Sequence, residues 1–125
     1  MSKELEYLNA KIVGTMLGFE DHGIMTFFIS LEFKNGGVGF GGYALDTWDK
    51  TQDKRVGAGV GIDCLKEIME TVGVERWEDL KGKHVMVESE GWGGKALGIR
   101  NILDTEKWFR PKQWFEERLG VERDA

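Results

Sequence analysis

The amino-acid sequence predicts an α+β domain, with a mostly antiparallel sheet of about five strands, one main amphipathic helix and a short C-terminal helix. Three observations support this class. Apolar segments with strand-like alternation are separated by turn signals, one later segment has helical spacing, and eighteen glycines are interleaved with five tryptophans and seven phenylalanines. Runs of strands with helices set to one side are typical of α+β domains. The 125 residues fit one domain, 1–125, and we expect residues 121–125 to form a loose tail.

The first three strands are predicted in the N-terminal part of the chain. "NAKIVGTMLGF" is rich in strand formers, although its apolar residues fall on both parities, and "EDHG" follows it as a turn. "IMTFFISLEF" alternates between apolar and other residues, which is typical of a half-buried antiparallel strand. The apolar residues on its one face are Met25, Phe27, Ile29, Leu31 and Phe33. "KNGG" predicts a second turn, and "GVGFGGYALD" predicts a third strand.

A polar segment and the main helix come next. "DTWDKTQDKR" is polar and charged, so we interpret it as an exposed loop. In "DCLKEIMETVG", four residues have the i, i+3, i+4, i+7 spacing of an amphipathic helix face, namely Leu65, Ile68, Met69 and Val72. Gly73 is placed to end this helix in the left-handed conformation.

The C-terminal part predicts a third hairpin and a second helix. "VERWEDLKGK" indicates a short helical turn ended by Gly82. "HVMVES" and "KALGIRNIL" flank the turn signal "EGWGG", which is the pattern of two paired strands. Pro111 is suited to the first helical position of "PKQWFEERL", and Gly120 is suited to close that helix.

Charge and cysteine content narrow the classes of partner. The net charge of −5 argues against unaided binding to duplex nucleic acid and against binding to an anionic membrane surface. It permits a basic protein partner, or a small anionic ligand in a local basic pocket. The single cysteine excludes an internal disulfide, and the N-terminus has no signal-peptide core. We therefore expect the protein to act in a cytoplasm.

Two glycine-rich motifs could approach a ligand. "GVGFGG" matches G-x-G-x-x-G, but a dinucleotide site needs a helix directly after it, and "YALDTWD" does not predict one. We therefore favour a bulged or twisted edge strand, and a ligand-facing or partner-facing surface is the alternative. "GAGVGID" does precede a helix, with Arg55 just upstream, so a phosphate contact there competes with plain close packing against the sheet.

No catalytic or metal motif is found. Glu20, Asp21 and His22 share one turn, but charged residues in exposed turns usually stay solvated. No H-x-x-x-H or C-x-x-C spacing occurs. Cys64 lies beside the apolar helix face, which favours packing over a role as nucleophile. We therefore expect no enzyme activity, no catalytic residues, no cofactor and no metal.

The candidate contact residues combine aromatic, cationic and glycine positions. We expect Trp77, Trp108 and Trp114 to pack at the core. Trp48 and Trp92 fall at loop and hairpin tips, where an exposed tryptophan is typical of an interface. The full set of predicted ligand- or partner-binding residues is Gly39, Gly41, Gly42, Tyr43, Trp48, Arg55, Gly57, Gly59, Trp92 and Arg100.

Three stretches of the chain resemble a family of small bacteriophage and prophage proteins. They are "LGFEDHGIMTFFISLEF", "GFGGYALD" and "RVGAGVGIDCLKEIMETVGVERWEDLKGKHVMV". The resemblance covers about residues 9 to 103 and rests on these phrases rather than on a catalytic signature. "FKNGGVGFGG" stands where a "GGSGQGFGG"-like run is typical of the family. The resemblance implies a phage-encoded accessory protein acting inside a bacterial cell, and it carries over no binding or catalytic residue.

Three binding functions remain open on the sequence, and a hydrolase of a signalling nucleotide is a more distant fourth. The first is an anti-CRISPR-like binding protein that inhibits a bacterial immune effector protein, with an acidic surface facing a basic effector. Its acidic residues near turns are Glu20, Asp21, Asp46, Asp49, Asp53, Glu88 and Glu90. The second is an oligomeric sponge for a cyclic-nucleotide or ADP-ribose-type immune signal, held by aromatic and cationic side chains. The third is an accessory factor for phage replication or recombination.

Overall fold

The alternating segments form one curved antiparallel sheet with two helices on its inner face. The computed structural model describes residues 4–91 and 95–119. The elements in chain order are β1 (Glu6–Phe19), β2 (Met25–Phe33), β3 (Gly36–Gly41), β4 (Asp46–Asp49), β5 (Lys54–Gly57), α1 (Gly59–Val72), a 3-10 turn (Trp77–Asp79), β6 (His84–Ser89), β7 (Ala96–Arg100), β8 (Trp108–Phe109) and α2 (Pro111–Leu119). The main sheet has six strands in the order β3-β2-β1-β6-β7-β8, and β4 pairs with β5 separately.

A bulge in β1 explains the mixed parity of its apolar residues. Ile12 pairs with Leu31, but Gly14 pairs with Ser30, so Val13 is one extra residue in the strand. An extra residue exchanges the two faces of a strand from that point on. The side chains that face the core therefore switch from even to odd positions along β1.

The alternation predicted for β2 is confirmed. Phe27, Ile29 and Leu31 are buried, whereas Phe28 is 43% exposed on the outer face. The turns at "EDHG" and "KNGG" both join paired strands, as predicted. The second turn uses Lys34 and Asn35 as its two loop residues.

The main helix begins earlier than predicted, because much of "GAGVGI" is itself helical. α1 starts at Gly59 and ends before Gly73, which has the predicted left-handed conformation with φ 93°. Gly61 is buried where the helix crosses the chain at Leu45, and a Cβ there would overlap the Leu45 carbonyl oxygen. The helix packs against β7 and β8.

The remaining corrections concern strands. "DTWDKTQDKR" is not a loop but the β4–β5 ribbon, a polar hairpin that sequence periodicity did not reveal because neither of its faces joins the core. β8 was also missed, since its two residues are too few to show a period. The main sheet thus has six strands rather than about five, and β3 and β7 contact each other as it curves.

The core forms between the inner face of the sheet and the helices. Cys64 is buried there, and burial raises the pKa of its thiol to about 12, in keeping with the predicted packing role. Trp77 and Trp114 pack against this core as expected. The Asn101 side-chain amide donates hydrogen bonds to the carbonyls of Thr71 and Val72, which satisfies the C-terminal end of α1.

Some predictions fall on residues that the structure does not describe. These are the Trp92 hairpin tip, the helix stop at Gly120 and the tail at 121–125. In the part of the chain that is described, neither helix is long and apolar enough to cross a membrane.

Candidate functional site

A groove of about 510 Å³ lies between the start of α1, the β4–β5 ribbon and the β1–β2 turn. Phe19 and Met25 line it on the sheet side, Arg55 and Gly57 line it on the ribbon, and Ile62 lines it on the helix. We call it the ribbon groove. Its walls come from three elements that are distant in sequence, so only the fold brings them together.

Large apolar side chains are exposed at the ribbon groove and on its ribbon. Phe19 is 73% exposed and Ile62 is 62% exposed, and both line the groove. Trp48 on β4 is 51% exposed and stands opposite Arg55 in the ribbon register. Exposed aromatic and aliphatic side chains around a concave surface are typical of a binding site.

Arg55 is held at the base of the ribbon by Asp46. The guanidinium Nη2 lies 2.8 Å and Nε lies 2.9 Å from Asp46 Oδ1, and Nη2 also donates to the Asp46 carbonyl at 3.0 Å. Asp46 Oδ2 accepts a bond from the backbone N–H of Met25 at 3.1 Å, which ties the ribbon to β2. The hydrogen bond from Arg55 lowers the pKa of Asp46. The cation in the groove is therefore already balanced by a carboxylate.

The ribbon tip is shaped by Asp49. Its Oδ1 accepts hydrogen bonds from the backbone N–H groups of Thr51 and Gln52 at 2.8 and 3.2 Å. Its Oδ2 accepts a hydrogen bond from the Gln52 side-chain amide at 2.9 Å. Asp53 takes a left-handed conformation, with φ 54°, and completes the turn. These contacts define the turn between β4 and β5, and Trp48 lies in β4 just before that turn.

A second cavity of about 340 Å³ adjoins the ribbon groove, with which it shares Asp46 and Ala58. Tyr43, Lys112 and Phe115 line it. The Tyr43 ring is stacked on Phe115 at a centroid distance of 5.4 Å, and it is also stacked against Phe27 at 6.4 Å. The protein's own rings are thus the stacking partners of Tyr43, and burial raises the pKa of its hydroxyl.

The predicted site residues divide among separate places. Arg55, Gly57 and Gly59 meet in the ribbon groove, and Trp48 lies on its ribbon. Tyr43 lines the adjoining cavity instead. The others are on β3 and just after it (Gly39, Gly41 and Gly42), on β7 (Arg100), or outside the described residues (Trp92).

The glycines of β3 accommodate aromatic rings of β2. A Cβ at Gly39 would lie 2.8 Å from the ring of Phe28, and one at Gly42 would lie 3.3 Å from the same ring. Gly41 has φ 130°, and a Cβ there would lie 2.5 Å from the Phe27 carbonyl oxygen. These positions therefore have a packing reason for glycine. Since no helix follows Gly42, the segment lacks the geometry of a dinucleotide motif.

The first turn of α1 offers backbone N–H groups without a side-chain cap. Ala58 occupies the N-cap position and makes no side-chain capping bond. Arg55 lines the same groove, but its charge is matched by Asp46. Across residues 4–91 and 95–119, no three His, Cys, Asp or Glu side chains are grouped to hold a metal ion.

Arg100 belongs to an aromatic and charged cluster at the outer face of the sheet. Its guanidinium carbon lies 5.8 Å from the Trp108 ring centroid, and that of Arg110 lies 4.2 Å from it. The Glu88 carboxylate accepts hydrogen bonds from Arg110 Nε at 2.9 Å and from Arg110 Nη2 at 3.2 Å. It also accepts a hydrogen bond from the Tyr7 hydroxyl at 3.0 Å. Glu88 is only 5% exposed, so it does not add to an exposed acidic surface.

We expect Glu88→Gln to weaken the fold at neutral pH by about 1–3 kcal/mol, since a charge-assisted hydrogen bond to a half-buried arginine is lost. The hydrogen bonds from Arg110 lower the pKa of Glu88 below its ordinary value of 4.5. A lowered folded pKa means that this stabilisation is complete above the ordinary value and is lost as pH falls through the folded value.

Urea titrations at several pH values check this expectation. The wild-type free energy of unfolding should decline more steeply below about pH 4.5 than that of Glu88→Gln. Glu32→Gln, an exposed change on β2, is the control and should follow the wild type. Equal pH slopes for wild type and Glu88→Gln would contradict the assigned role.

Among the groove residues that were not predicted from sequence, the two with the most exposed large apolar side chains are Phe19 and Ile62. Phe19 has the parity of core-facing residues after the bulge, yet at the end of β1 it is 73% exposed. Ile62 lies three residues before Leu65, on the helix face predicted from sequence to be buried, yet it is 62% exposed because the buried side of α1 runs through Gly61 and Cys64. In comparisons with known proteins, no family model matches the chain, and no curated protein matches it either.

Proposed function

We propose that this chain is a non-catalytic, phage-encoded binding protein that inhibits a bacterial immune system by docking onto an immune effector protein in the bacterial cytoplasm. The observation that supports the protein target is the ribbon groove. It is an apolar groove whose arginine is already paired, and it is bordered by exposed Phe19 and Ile62. Such a surface suits an apolar anchor from a protein partner.

The charges around the groove suit a basic partner. Glu20 and Asp21 are exposed directly after Phe19, and Asp53 is exposed at the ribbon tip. Exposed Lys50 and Lys54 offset Asp53 on the ribbon, so the acidic excess lies at Glu20 and Asp21. Acidic groups beside an apolar centre favour a partner with basic groups opposite them and speed the encounter. The acidic surface is thus smaller than the seven residues considered from sequence, because Glu88 is paired with Arg110 and Asp46 with Arg55.

A nucleotide-signal sponge is the second candidate, and the adjoining cavity favours it. Lys112 supplies a cation there, and Tyr43 and Phe115 supply rings. The stacking of these two rings on each other leaves less ring surface for a base than a sponge would use. A replication or recombination accessory factor would use the same ribbon groove for a phage protein.

The variant Phe19→Asp tests the protein-binding proposal. It places a charge in the groove at a position that is largely exposed, so the fold should remain intact. In bacteria with an active immune system, we expect expression of the wild-type chain to raise the efficiency of phage plating. With Phe19→Asp, the increase in plating efficiency should be at least about tenfold smaller, as expected when an interface anchor is removed.

Leu103→Asp is the matched control. Leu103 is 90% exposed between β7 and β8 and does not line the groove, so the variant should keep full activity. Equal loss in both variants, or none in Phe19→Asp, would contradict the assignment to the groove. If the wild-type chain also raises plating efficiency in bacteria without immune genes, the result would indicate a replication or recombination accessory factor.

Native mass spectrometry after mixing with infected-cell extract separates protein from nucleotide. A protein-sized mass that is retained by Leu103→Asp and lost by Phe19→Asp supports an effector target. A small mass released on denaturation, and lost instead in Lys112→Ala, supports the sponge.

A further inference from the structure

The edge of the sheet at β3 is formed by glycine backbone. Phe33 pairs with Gly36 across a two-residue turn, and the register continues so that the Gly42 N–H donates to the Phe27 carbonyl at 2.8 Å. In an antiparallel pair, residues alternate between facing the partner strand and facing away. The backbone groups of Gly37 and Gly39 therefore point away from β2, towards the free edge.

These outward groups have no partner among the described residues. No hydrogen bond within residues 4–91 and 95–119 uses the N–H or C=O of Gly37 or Gly39. Both glycines are exposed. An unpaired run of backbone donors and acceptors is a template for another strand.

The usual protections of an edge strand are missing at β3. The whole segment from Asn35 to Leu45 has no charged residue and no proline, although 31% of the chain is charged. At the opposite edge, β8 is two residues long and leads into Pro111. The β4–β5 ribbon carries Lys54 and Arg55 along its short strand. β3 therefore lacks the charge, proline and extreme shortness found at β8 and the ribbon, and it shares this with residues 13–19 of β1, which pair with β2 on one side only.

We propose that two copies of this chain pair through β3 in an antiparallel arrangement, with Gly37 of each copy facing Gly39 of the other. The edge is self-complementary in this register, so one two-fold contact satisfies both copies. A net charge of −5 would otherwise oppose self-association, and this uncharged segment is where two copies can approach without that repulsion.

The ring of Phe28 adds an apolar surface to the proposed β3–β3 interface. It overlies Gly39 and Gly42 on the outer face and is 43% exposed. Glycine at these positions leaves the ring lying over β3, next to where the second β3 would run. Two such rings, one from each copy, would flank the shared strand pair and bury apolar surface along with the new hydrogen bonds.

Gly39→Pro and Gly39→Ala form a matched pair of variants. Both place a Cβ 2.8 Å from the same edge of the Phe28 ring, which must shift equally in both variants, but only proline removes the outward N–H. Sedimentation velocity from about 1 to about 200 µM should show a concentration-dependent dimer for wild type and for Gly39→Ala. Gly39→Pro should raise the dimer Kd by at least about tenfold.

Hydrogen exchange gives a second readout that needs no variant. The amides of Gly37 and Gly39 should exchange more slowly at the high concentration than at the low one, because they are bonded only in the dimer. A wild-type chain that stays monomeric over this range would overturn the proposal. A dimer that is unchanged in Gly39→Pro and leaves these amides unprotected would overturn it too. The edge lies apart from the ribbon groove, so either result leaves the Phe19→Asp test intact.

Discussion

Gly61→Ala is expected to destabilise the fold by about 3 kcal/mol or more. The added Cβ would overlap the carbonyl oxygen of Leu45, and it would also press on the Leu45 Cα. Backbone cannot rotate out of the way as a side chain can, so α1 would have to move off the chain segment beneath it. Urea unfolding should show a lower midpoint, or the variant should fail to accumulate as folded protein.

Gly59→Ala is the matched control for this change. It lies in the same turn of α1, and a Cβ there has nothing within 4 Å. Alanine is the better helix former, so this variant should stay within about 0.5 kcal/mol of wild type or be slightly more stable. If the two variants behaved alike, the close approach of α1 to Leu45 would be contradicted.

Phe27→Ala is expected to lower the free energy of unfolding by about 3–5 kcal/mol, the range for removing a large buried aromatic side chain. Phe27 is 0% exposed, and its ring contacts three others. The centroids lie 6.4 Å from Phe40, 6.4 Å from Tyr43 and 6.2 Å from Trp77. Because these rings come from three separate parts of the chain, the cavity would loosen β3, the segment after it and the 3-10 turn together.

The next residue along β2 provides the comparison. Phe28→Ala removes the same atoms from a residue that is 43% exposed, so we expect the free energy of unfolding to fall by less than about 1.5 kcal/mol. Equilibrium unfolding in urea, with equal slopes for both variants, measures the difference. Similar losses for Phe27→Ala and Phe28→Ala would mean that the two faces of β2 are wrongly assigned.

The sequence predicted those elements whose pattern is set by one buried face. Met25–Phe33 alternates because one side of β2 meets the core, and α1 shows a helical stripe because one side meets the sheet. The β4–β5 ribbon has no buried face, so its strands left no period to detect. In β1 two strand-like patterns are joined out of phase at Val13, so the strand as a whole shows no single period.

The candidate site was predictable only in part for a related reason. Arg55, Gly57 and Gly59 are close in sequence, so a local motif could suggest them together. Phe19 joins them only through the pairing of β1 with β2 and the crossing of α1, which are long-range contacts. Exposure of a phenylalanine depends on what covers it, and a strand pattern alone predicts burial for such a residue.

The two neighbours of β1 are made at different times during synthesis. Its second half pairs with β2, which follows after a short turn, so the β1–β2–β3 meander can form once residue 41 has left the ribosome. Its first half pairs with β6, where Glu6 stands opposite Ser89. Closing that long loop must await the later segment, and until then Tyr7 and Leu8 have no strand beside them. We therefore expect the sheet to form outwards from its N-terminal hairpins, with the β1–β6 pairing as the last step.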